Sequence, residues 1–388
     1  MNGQQPDVKA AAEELGYDSA EEYLMALHEL HQNGQIHVPP KNAPAPDPET
    51  QRPQLYFERA DGEIYHGDSA KLMADELGEE SVDLIVTSPP FGLLKEKDYG
   101  NKDADAYLNW FDQFASGFRR VLKESGSLVI DIGGAWKRGR PVRSLYHFEL
   151  LIRLCRAFDF KLAQEFYWWN PAKLPLPAEW VNIRRIRVRD SVNCLWWLSK
   201  TPYPKASNKR VLQPYKEDMT KLFERGSYNT GERSGGHKPG ETSFLNEHGG
   251  AIPHNLISLA NTSSNTAYHK YCREKNHPIH PARFPSGIPA FFIRMLTDKG
   301  DTVFDPFAGS CMTGEVAEQM GREWICCDLE EEYLEGALGR FLEDDDSLFP
   351  SYEPSRSKPY EAVPPFLSIL PEDEAPLPED GGASRPSN

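Results

Sequence analysis

The sequence predicts a doubly wound α/β fold with a mostly parallel sheet. Apolar runs of strand length alternate through the middle of the chain with amphipathic stretches of helical length, which is the pattern of a sheet covered by helices on both faces. Two of these runs end in tight turns, TSPPFG and DPFAGS. Open α/β sheets bind ligands at this position, beyond the carboxyl ends of their strands.

The predicted elements follow the chain in order. Apolar and β-branched runs predict strands at residues 63–66, 82–86, 128–131, 162–168, 192–198, 302–304 and 324–327. Helical spacing of apolar residues predicts helices over 106–122 and 145–158, and a further helix begins near Met312. Residues 205–260 break this alternation because they are polar and glycine-rich, and such long loops in compact domains are usually functional or disordered.

The two ends of the chain differ from this body in composition. A helical pattern over 8–33 predicts a small helical appendage at 1–35, and the proline-rich residues 36–54 predict a linker. The acidic, proline-rich tail 343–388 is expected to be disordered. The chain shows neither an apolar run of about 18 residues nor a signal peptide, and its six cysteines form no C-x-x-C pair. We therefore expect a cytoplasmic protein with reduced thiols and no membrane span.

Charge is unevenly distributed along the chain. The net charge is −16, but residues 1–50 carry nine acids against two bases, and residues 341–388 carry eleven acids against three bases. Residues 134–210 carry sixteen Lys and Arg against five Asp and Glu. A basic zone of this kind can neutralise phosphates, so the acidic total does not exclude a nucleic-acid partner.

A stiff polar turn follows the predicted strand 82–86. Ser88 precedes Pro89 and Pro90, and Phe91 closes the motif. The two prolines fix two φ angles and remove two backbone donors. The turn therefore offers a hydroxyl and rigid carbonyl acceptors beside an aromatic ring.

A second turn, within FDPFAGSCMTGE at 304–315, joins a strand to a helix. Gly309 lets the backbone approach a ligand closely, and the helix start supplies free N–H groups. Asp328 and Asp68 end other predicted strands, where a carboxylate can take ribose hydroxyls. A nicotinamide dinucleotide would suit the same pattern, although the sequence contains no G-x-G-x-x-G, and Asp68 alone is equally consistent with a helix cap.

Together, DPFAGSCMTGE and TSPPF resemble the two signature motifs of DNA amino-methyltransferases, whose cofactor is S-adenosyl-L-methionine. SPPF precedes FDPFAGS with a long variable stretch between them, which resembles the circularly permuted beta class. WWNPAKLP, AIPHNLISLANTSSN and HPARFPSGIPAFFIRMLTDKGDTVFDPFAGS are similar to segments of the PvuII-type, N4-cytosine-specific enzymes. The likeness spans about residues 55–342 and departs from the family at Ser310-Cys311-Met312, where small or polar residues are more common.

The resemblance implies a sheet of the class I methyltransferase type with permuted motif order and a target-recognition insertion. It implies a catalytic half at 55–204, a target-recognition region at 205–275 and a cofactor-binding half at 276–342. The implied catalytic residues are Ser88, Pro89, Pro90, Phe91 and Asp131. The implied cofactor contacts are Asp305, Pro306, Phe307, Ala308, Gly309, Ser310, Asp328, Asp68, Phe284, Pro285 and Ser286.

The stiff turn suits methylation of an exocyclic amine. The lone pair of such an amine is delocalised into the ring, and acceptors that bind its N–H groups free the lone pair and take up the growing positive charge. The base must first be flipped out of the duplex, and Phe91, with Trp168 or Trp169, could stack on it. In the family, Ser-Pro-Pro goes mostly with cytosine N4. N6-adenine methylation, an inactive DNA-binding homologue, and an RNA or protein methyltransferase remain alternatives.

Basic segments near the catalytic half are the candidate contacts to double-stranded DNA. The candidate residues are Lys137, Arg138, Arg140, Arg184, Arg185 and Arg187. The alternative for RRIRVR at 184–189 is the solvated edge of a strand. His277 and His280 lack partners at ligand spacing, so we predict no metal site. A cognate restriction endonuclease is a candidate partner.

Overall fold

The computed structural model describes residues 52–342, apart from 92–103, 138, 233–235, 237, 239, 241, 243 and 263–265. The predicted appendage 1–35, nearly all of the linker 36–54, and the tail 343–388 therefore lie outside the described residues. A boundary between two compact units of the chain falls between Gln54 and Leu55. The fold described below belongs to the second unit.

The described residues form nine strands and eight α-helices. The strands are β1 (Gln54–Arg59), β2 (Gly62–His66), β3 (Val82–Thr87), β4 (Leu122–Ile132), β5 (Lys161–Trp169), β6 (Val192–Ser199), β7 (Leu256–Ser258), β8 (Thr302–Asp305) and β9 (Glu323–Asp328). The helices are α1 (Ser69–Asp75), α2 (Ala104–Val121), α3 (Tyr146–Arg156), α4 (Glu217–Arg225), α5 (Ala267–Lys275), α6 (Gly287–Leu296), α7 (Met312–Gln319) and α8 (Glu331–Ala337).

All nine strands lie in one sheet with the order β1-β2-β9-β8-β3-β4-β6-β5-β7. The neighbours from β2 to β4 run parallel, whereas β6 runs antiparallel to both β4 and β5. The last two strands of the chain, β8 and β9, thus lie between the early strands β2 and β3. This arrangement brings the turn after β3 and the turn after β8 to the same edge of the sheet, as a permuted chain requires.

Helices cover both faces of the sheet. Side chains from α1, α2 and α3 form one hydrophobic core with the sheet, and those from α6, α7 and α8 contribute to the other. In α2, Tyr107, Phe111, Phe114 and Phe118 recur at helical spacing and are buried. All six residues of β3 are buried, which explains its continuous apolar run. The predicted doubly wound, mostly parallel class is confirmed.

Several elements differ from the prediction, including helix α4, which lies within the region 205–260 that was expected to be a loop. β1 and β7 were not predicted, because β1 is largely exposed and β7 has only three residues in a polar region. The alternative interpretation of residues 184–189 as the edge of a strand was wrong. That segment follows a π-helical turn, Glu179–Ile183, and is irregular and exposed throughout. Its aliphatic residues alternate with arginine, but no core buries them, so the pattern lacks the half-buried surface that stabilises strands.

Candidate active site

Two cavities adjoin at the carboxyl ends of the parallel strands. The larger has a volume of about 360 Å³ and the smaller about 200 Å³. Five residues line both of them: Ser88, Phe91, Ala282, Arg283 and Phe284. The SPPF turn after β3 therefore forms part of the boundary between two binding spaces, and the segment before α6 supplies the rest.

The larger cavity combines apolar walls with carboxylates. Trp110, Phe114 and Phe307 contribute aromatic surface, while Asp68 and Asp328 contribute acids from the ends of β2 and β9. The remaining lining residues are Gly67, Ser69, Pro89, Pro90, Gln113, His280, Pro306, Ala308, Ser310, Met312, Leu329, Glu330 and Tyr333. Acids and aromatic rings suit a nucleoside that bears hydroxyls and a positive charge, and they disfavour a phosphate-rich dinucleotide.

Asp328 holds the glycine turn against the end of β9. Its Oδ2 accepts a hydrogen bond from the Gly309 N–H at 2.7 Å, and its Oδ1 accepts one from the Glu330 N–H at 3.1 Å. Burial raises the pKa of Asp328 above its usual value. Gly309 has φ +49°, and a Cβ there would lie 2.9 Å from Nε2 of His280. Glycine is therefore required both by the backbone and by the packed ring.

Asp68 has two roles at the end of β2. Its Oδ1 accepts a hydrogen bond from the Ala70 N–H at 2.9 Å and so caps α1. The same residue lines the larger cavity. The two interpretations of Asp68, helix cap and ligand contact, are thus compatible.

Asp305 lies behind the wall of the larger cavity. Thr87 and Thr313 donate hydrogen bonds to its two oxygens at 2.7 Å each, and the Phe307 N–H donates a third at 3.2 Å. It is 1% exposed, and burial raises its pKa to about 6. The expectation that Asp305 contacts a ligand directly is not supported, since it instead ties the end of β3 to the turn after β8.

The smaller cavity contains a chain of hydrogen-bonded polar groups. The Ser88 hydroxyl donates to Oδ2 of Asp131 at 3.2 Å, and the Asn193 amide donates to Asp131 at 3.0 and 3.4 Å. The Lys173 ammonium donates to Oδ1 of Asn193 at 3.4 Å. Burial raises the pKa of Asp131 to about 6, although the bonds from Asn193 and Ser88 oppose that rise. Asp131 is thus a buried carboxylate hydrogen-bonded to Ser88, the residue with which the family resemblance grouped it.

Aromatic rings border the smaller cavity. Phe91 packs close to Gly133, where an added Cβ would lie 2.7 Å from its ring. Trp168 lines the cavity, and its indole N–H donates to the carbonyl of Leu259 at 2.9 Å. Trp169, the other candidate for stacking on a base, does not line it. A flat group entering this space would contact Phe91 and Trp168.

Most of the predicted catalytic and cofactor-contact residues line one of the two cavities, with four exceptions. Pro285 and Ser286 line neither and instead begin α6, where their carbonyls accept from the N–H groups of Ile288 and Ala290. Phe284 alone of that predicted group lines the cavities. Asp305 and Gly309 support the wall from behind.

Sequence reasoning did not single out several of the lining residues. Lys173, Asn170, Ser191, Asn193 and Asn261 all line the smaller cavity. The signal available was the position of NPAK directly after β5, because residues that follow a strand end reach the ligand edge of the sheet. Asn193 gave no such signal, since it reaches Asp131 only because β6 returns antiparallel along β4.

Two basic loops, residues 137–143 after β4 and residues 184–190 after the π-helical turn, lie beside the smaller cavity. The first follows β4 and is closed by an antiparallel bridge between Trp136 and Arg143, and Arg143 forms an ion pair with Asp190 of the second loop. Arg187 also joins the loops by donating to the carbonyl of Pro141 at 3.0 Å. The predicted DNA contacts Lys137, Arg140, Arg184, Arg185 and Arg187 are all exposed. Arg138 lies outside the described residues.

The described part of the chain shows neither a candidate metal site nor a helix that could span a membrane. No group of three or more His, Cys, Asp or Glu side chains there could hold a metal ion. Within the same residues, no helix is both long enough and apolar enough to cross a membrane.

Comparison with known proteins gives the family. A family model described as DNA methylase matches residues 82–338. The type II methyltransferase M.PvuII of Proteus hauseri is 45% identical over 290 residues, which cover 74% of this chain and 86% of that protein. The DNA adenine methyltransferase YhdJ of Escherichia coli is 24% identical over 285 residues, covering 71% and 81%.

A solved structure agrees with these sequence matches. The PvuII DNA methyltransferase (cytosine-N4-specific) superposes with a TM-score of 0.61 at 40% identity, covering 76% of this chain and 90% of that one. The resemblance drawn from the two motifs is thereby confirmed. The chain belongs to the N6/N4 family of DNA methylases, and its methyl donor is S-adenosyl-L-methionine.

Proposed function

We propose that this protein transfers a methyl group to the exocyclic N4 amine of a cytosine that has been flipped out of double-stranded DNA. The observation that carries this proposal is that the two cavities adjoin at Ser88 and Phe91. A donor in the larger space and a base in the smaller one would meet at the SPPF turn. An enzyme that acts on a base needs such a pocket, because the amine is inaccessible within the duplex.

The larger cavity has the chemistry that the cofactor requires. Asp328 and Asp68 offer carboxylate oxygens to hydroxyl and ammonium groups, and Phe307 and Phe284 offer apolar surface to a purine ring. When bound, the cofactor supplies an electrophilic methyl group on a sulfonium. The loop around Gly309 and Ser310, held by Asp328 and Arg340, gives this space a fixed shape.

Ser88 is the hydrogen-bond acceptor for the amine, and Asp131 orients the Ser88 hydroxyl for that role. When Asp131 is ionised, the Ser88 hydroxyl donates to it, which leaves the serine lone pairs directed at the N–H groups of the base. The Pro89 carbonyl is the second acceptor, and the prolines hold it in place. These acceptors stabilise the positive charge that develops on the nitrogen. The proton lost by the methylated amine passes to Ser88 as the serine proton moves to Asp131.

Cytosine is preferred over adenine on two grounds. The motif is Ser-Pro-Pro, and the 45% identical relative has a solved counterpart named as cytosine-N4-specific. The more distant adenine methyltransferase shows that the family includes both bases. The alternative function is therefore N6-adenine methylation in the same cavity.

The DNA backbone is proposed to follow the two basic loops. Lys137, Arg140 and the arginines of 184–189 are exposed beside the base cavity, where they would contact phosphates without reading sequence. Base-specific contacts are assigned to the region 205–275. A restriction endonuclease with the same recognition sequence is a proposed partner in the cell.

Product analysis tests the proposal. The purified protein is incubated with S-adenosyl-L-methionine and unmethylated genomic DNA, and the DNA is then digested to nucleosides and separated by chromatography. We expect N4-methylcytosine. N6-methyladenine would instead support the alternative, and unmodified nucleosides from preparations that are folded and bind the cofactor would overturn both. Parallel incubations with RNA and with protein serve as controls for substrate class.

A further inference from the structure

We propose that Lys173 is the residue that selects cytosine over adenine, by donating a hydrogen bond to the O2 carbonyl of the flipped base. The inference rests on the proposed function and adds a specificity-determining residue to it. Lys173 lines the smaller cavity together with Ser88 and Asp131. It is the one lysine among the residues that line either cavity in the described part of the chain.

The turn after β5 places Lys173 in the cavity. β5 ends at Trp169, and the side chain of Asn170 accepts a hydrogen bond from the Ala172 N–H at 3.0 Å. The Asn170 carbonyl accepts a second from the Lys173 N–H at 3.2 Å. A turn closed by both the side chain and the backbone of Asn170 fixes the direction in which residue 173 leaves the sheet.

Four of the polar residues that line the smaller cavity form a hydrogen-bonded series that runs from acceptors to a donor. Ser88 and Asp131 stand at the acceptor end, Asn193 lies between, and the Lys173 ammonium stands at the donor end. The Asn193 amide is fixed in orientation because its N–H₂ faces Asp131 and its oxygen faces Lys173. An ammonium has three N–H donors, and the bond to Asn193 uses one of them.

The Watson–Crick edges of the two candidate bases differ at one position. Cytosine presents an amine, a ring nitrogen and then a carbonyl oxygen, whereas adenine presents an amine, a ring nitrogen and then a C–H group. With either amine bound at Ser88, only cytosine offers an acceptor to the donor end. A flipped base is read through this edge. Adenine would leave the Lys173 ammonium facing a C–H group, so the hydrogen bond that cytosine accepts through O2 would not form.

The experiment that tests the role of Lys173 varies the enzyme and the target base together. Wild type and Lys173→Met are given duplexes that carry the methylation site with one of three target residues. These are cytosine, adenine, and a 2-aminopyridine C-nucleoside that keeps the amine and adjacent ring nitrogen but has C–H in place of the O2 carbonyl. Single-turnover rates are measured at pH 8, so that Asp131, whose pKa is about 6, stays ionised in both proteins.

We expect Lys173→Met to lower the rate on cytosine roughly 10- to 100-fold, the effect of one hydrogen bond to a charged group. The rates on adenine and on the aminopyridine should change little, because neither offers the acceptor. Where turnover is too slow to follow, affinity for the same duplexes in the presence of S-adenosylhomocysteine replaces the rate and should show the same pattern.

Controls separate this role from a general one. Arg184→Met, which removes a cation from the neighbouring loop, should lower the affinity for all three duplexes by the same factor. Cofactor affinity and thermal unfolding show whether Lys173→Met is folded. Equal losses on cytosine and on the aminopyridine would overturn the assignment of Lys173, because the effect would then not depend on O2. If wild type makes no N4-methylcytosine, the proposed function itself fails, which is a distinct result.

Discussion

Asp131 and Asp305 end two strands of the same sheet and look alike, yet the structure uses them differently. Both are buried, both have a pKa raised to about 6 by burial, and both accept hydrogen bonds from hydroxyl groups. Asp305 accepts its three hydrogen bonds from Thr87, Thr313 and the Phe307 N–H, and it lines neither cavity. Asp131 lines the smaller cavity and receives one of its bonds from Ser88, which lines both.

This difference shows what separates a structural acid from a chemical one. The pKa of each carboxylate is raised to about the same value, so a perturbed pKa does not distinguish them. What distinguishes them is whether a neighbouring group can pass the effect of the charge to a ligand. Through Ser88, the charge of Asp131 reaches the cavity, whereas the charge of Asp305 is used to join two loops.

The largest expected effect comes from breaking the link between Asp131 and the cavity. Ser88→Ala removes the acceptor for the amine, and the single-turnover rate should fall about 10²- to 10³-fold, as on loss of one group that stabilises transition-state charge. Cofactor affinity should stay near that of wild type, because Pro89 and Phe91 keep the cavity wall. Rapid-quench methylation and calorimetry measure the two quantities. Normal turnover by Ser88→Ala would exclude the serine from the mechanism.

Exchanging each acid for its amide tests the comparison directly. Asp131→Asn should lower the single-turnover rate by about 10²-fold with little change in thermal stability. Asp305→Asn should instead lower the free energy of unfolding by about 1–3 kcal/mol, since an amide oxygen replaces only one of two acceptors and both threonine hydroxyls are buried, whereas Ser88 can turn its hydroxyl to the cavity. Its rate at saturating cofactor should remain close to that of wild type. If both variants lost the same amount of single-turnover rate and of unfolding free energy, the distinction between a chemical Asp131 and a structural Asp305 would be contradicted.

The sequence predicted the two loops well because each carries its chemistry locally. The turns around Ser88 and Gly309 owe their shapes to prolines and glycine within a few residues. Asp131 and Asp305 could not be told apart from sequence, since each is an acid at a strand end. Their partners, Asn193 and Thr87, are brought to them only by strand pairing, and single-sequence patterns do not give the order of strands in a sheet.

A third acid, Asp328, tests whether a carboxylate can be structural and ligand-binding at once. It accepts from two backbone N–H groups and also lines the larger cavity. Asp328→Ala removes both the anchor of Gly309 and the acceptor for cofactor hydroxyls. We expect cofactor affinity to fall roughly 10- to 100-fold, measured by calorimetry without DNA. Unchanged affinity would mean that the cofactor lies elsewhere.

We expect the acid limb of the pH dependence of methyl transfer to report on Asp131. As pH falls through its pKa of about 6, Asp131 becomes protonated and no longer orients Ser88 as an acceptor, so the rate should fall on the acid side. The hydrogen bond from Asn193 lowers this pKa. Asn193→Ala should therefore move the midpoint of the acid limb to higher pH, while Asp305→Asn should leave it in place. A midpoint that stays fixed in Asn193→Ala would assign the limb to another group.

The smallest expected effect concerns the basic loops. Arg185 is exposed in the second basic loop beside the smaller cavity, and its proposed contact is with a phosphate rather than a base. Arg185→Gln should weaken DNA binding by similar factors for all sequences and lower the slope of log affinity against log salt by about one. Lys299→Gln, at the opposite edge of the sheet before β8, should leave that slope unchanged. An equal loss of slope in both variants would show that the general charge of the protein, and not these loops, holds the DNA.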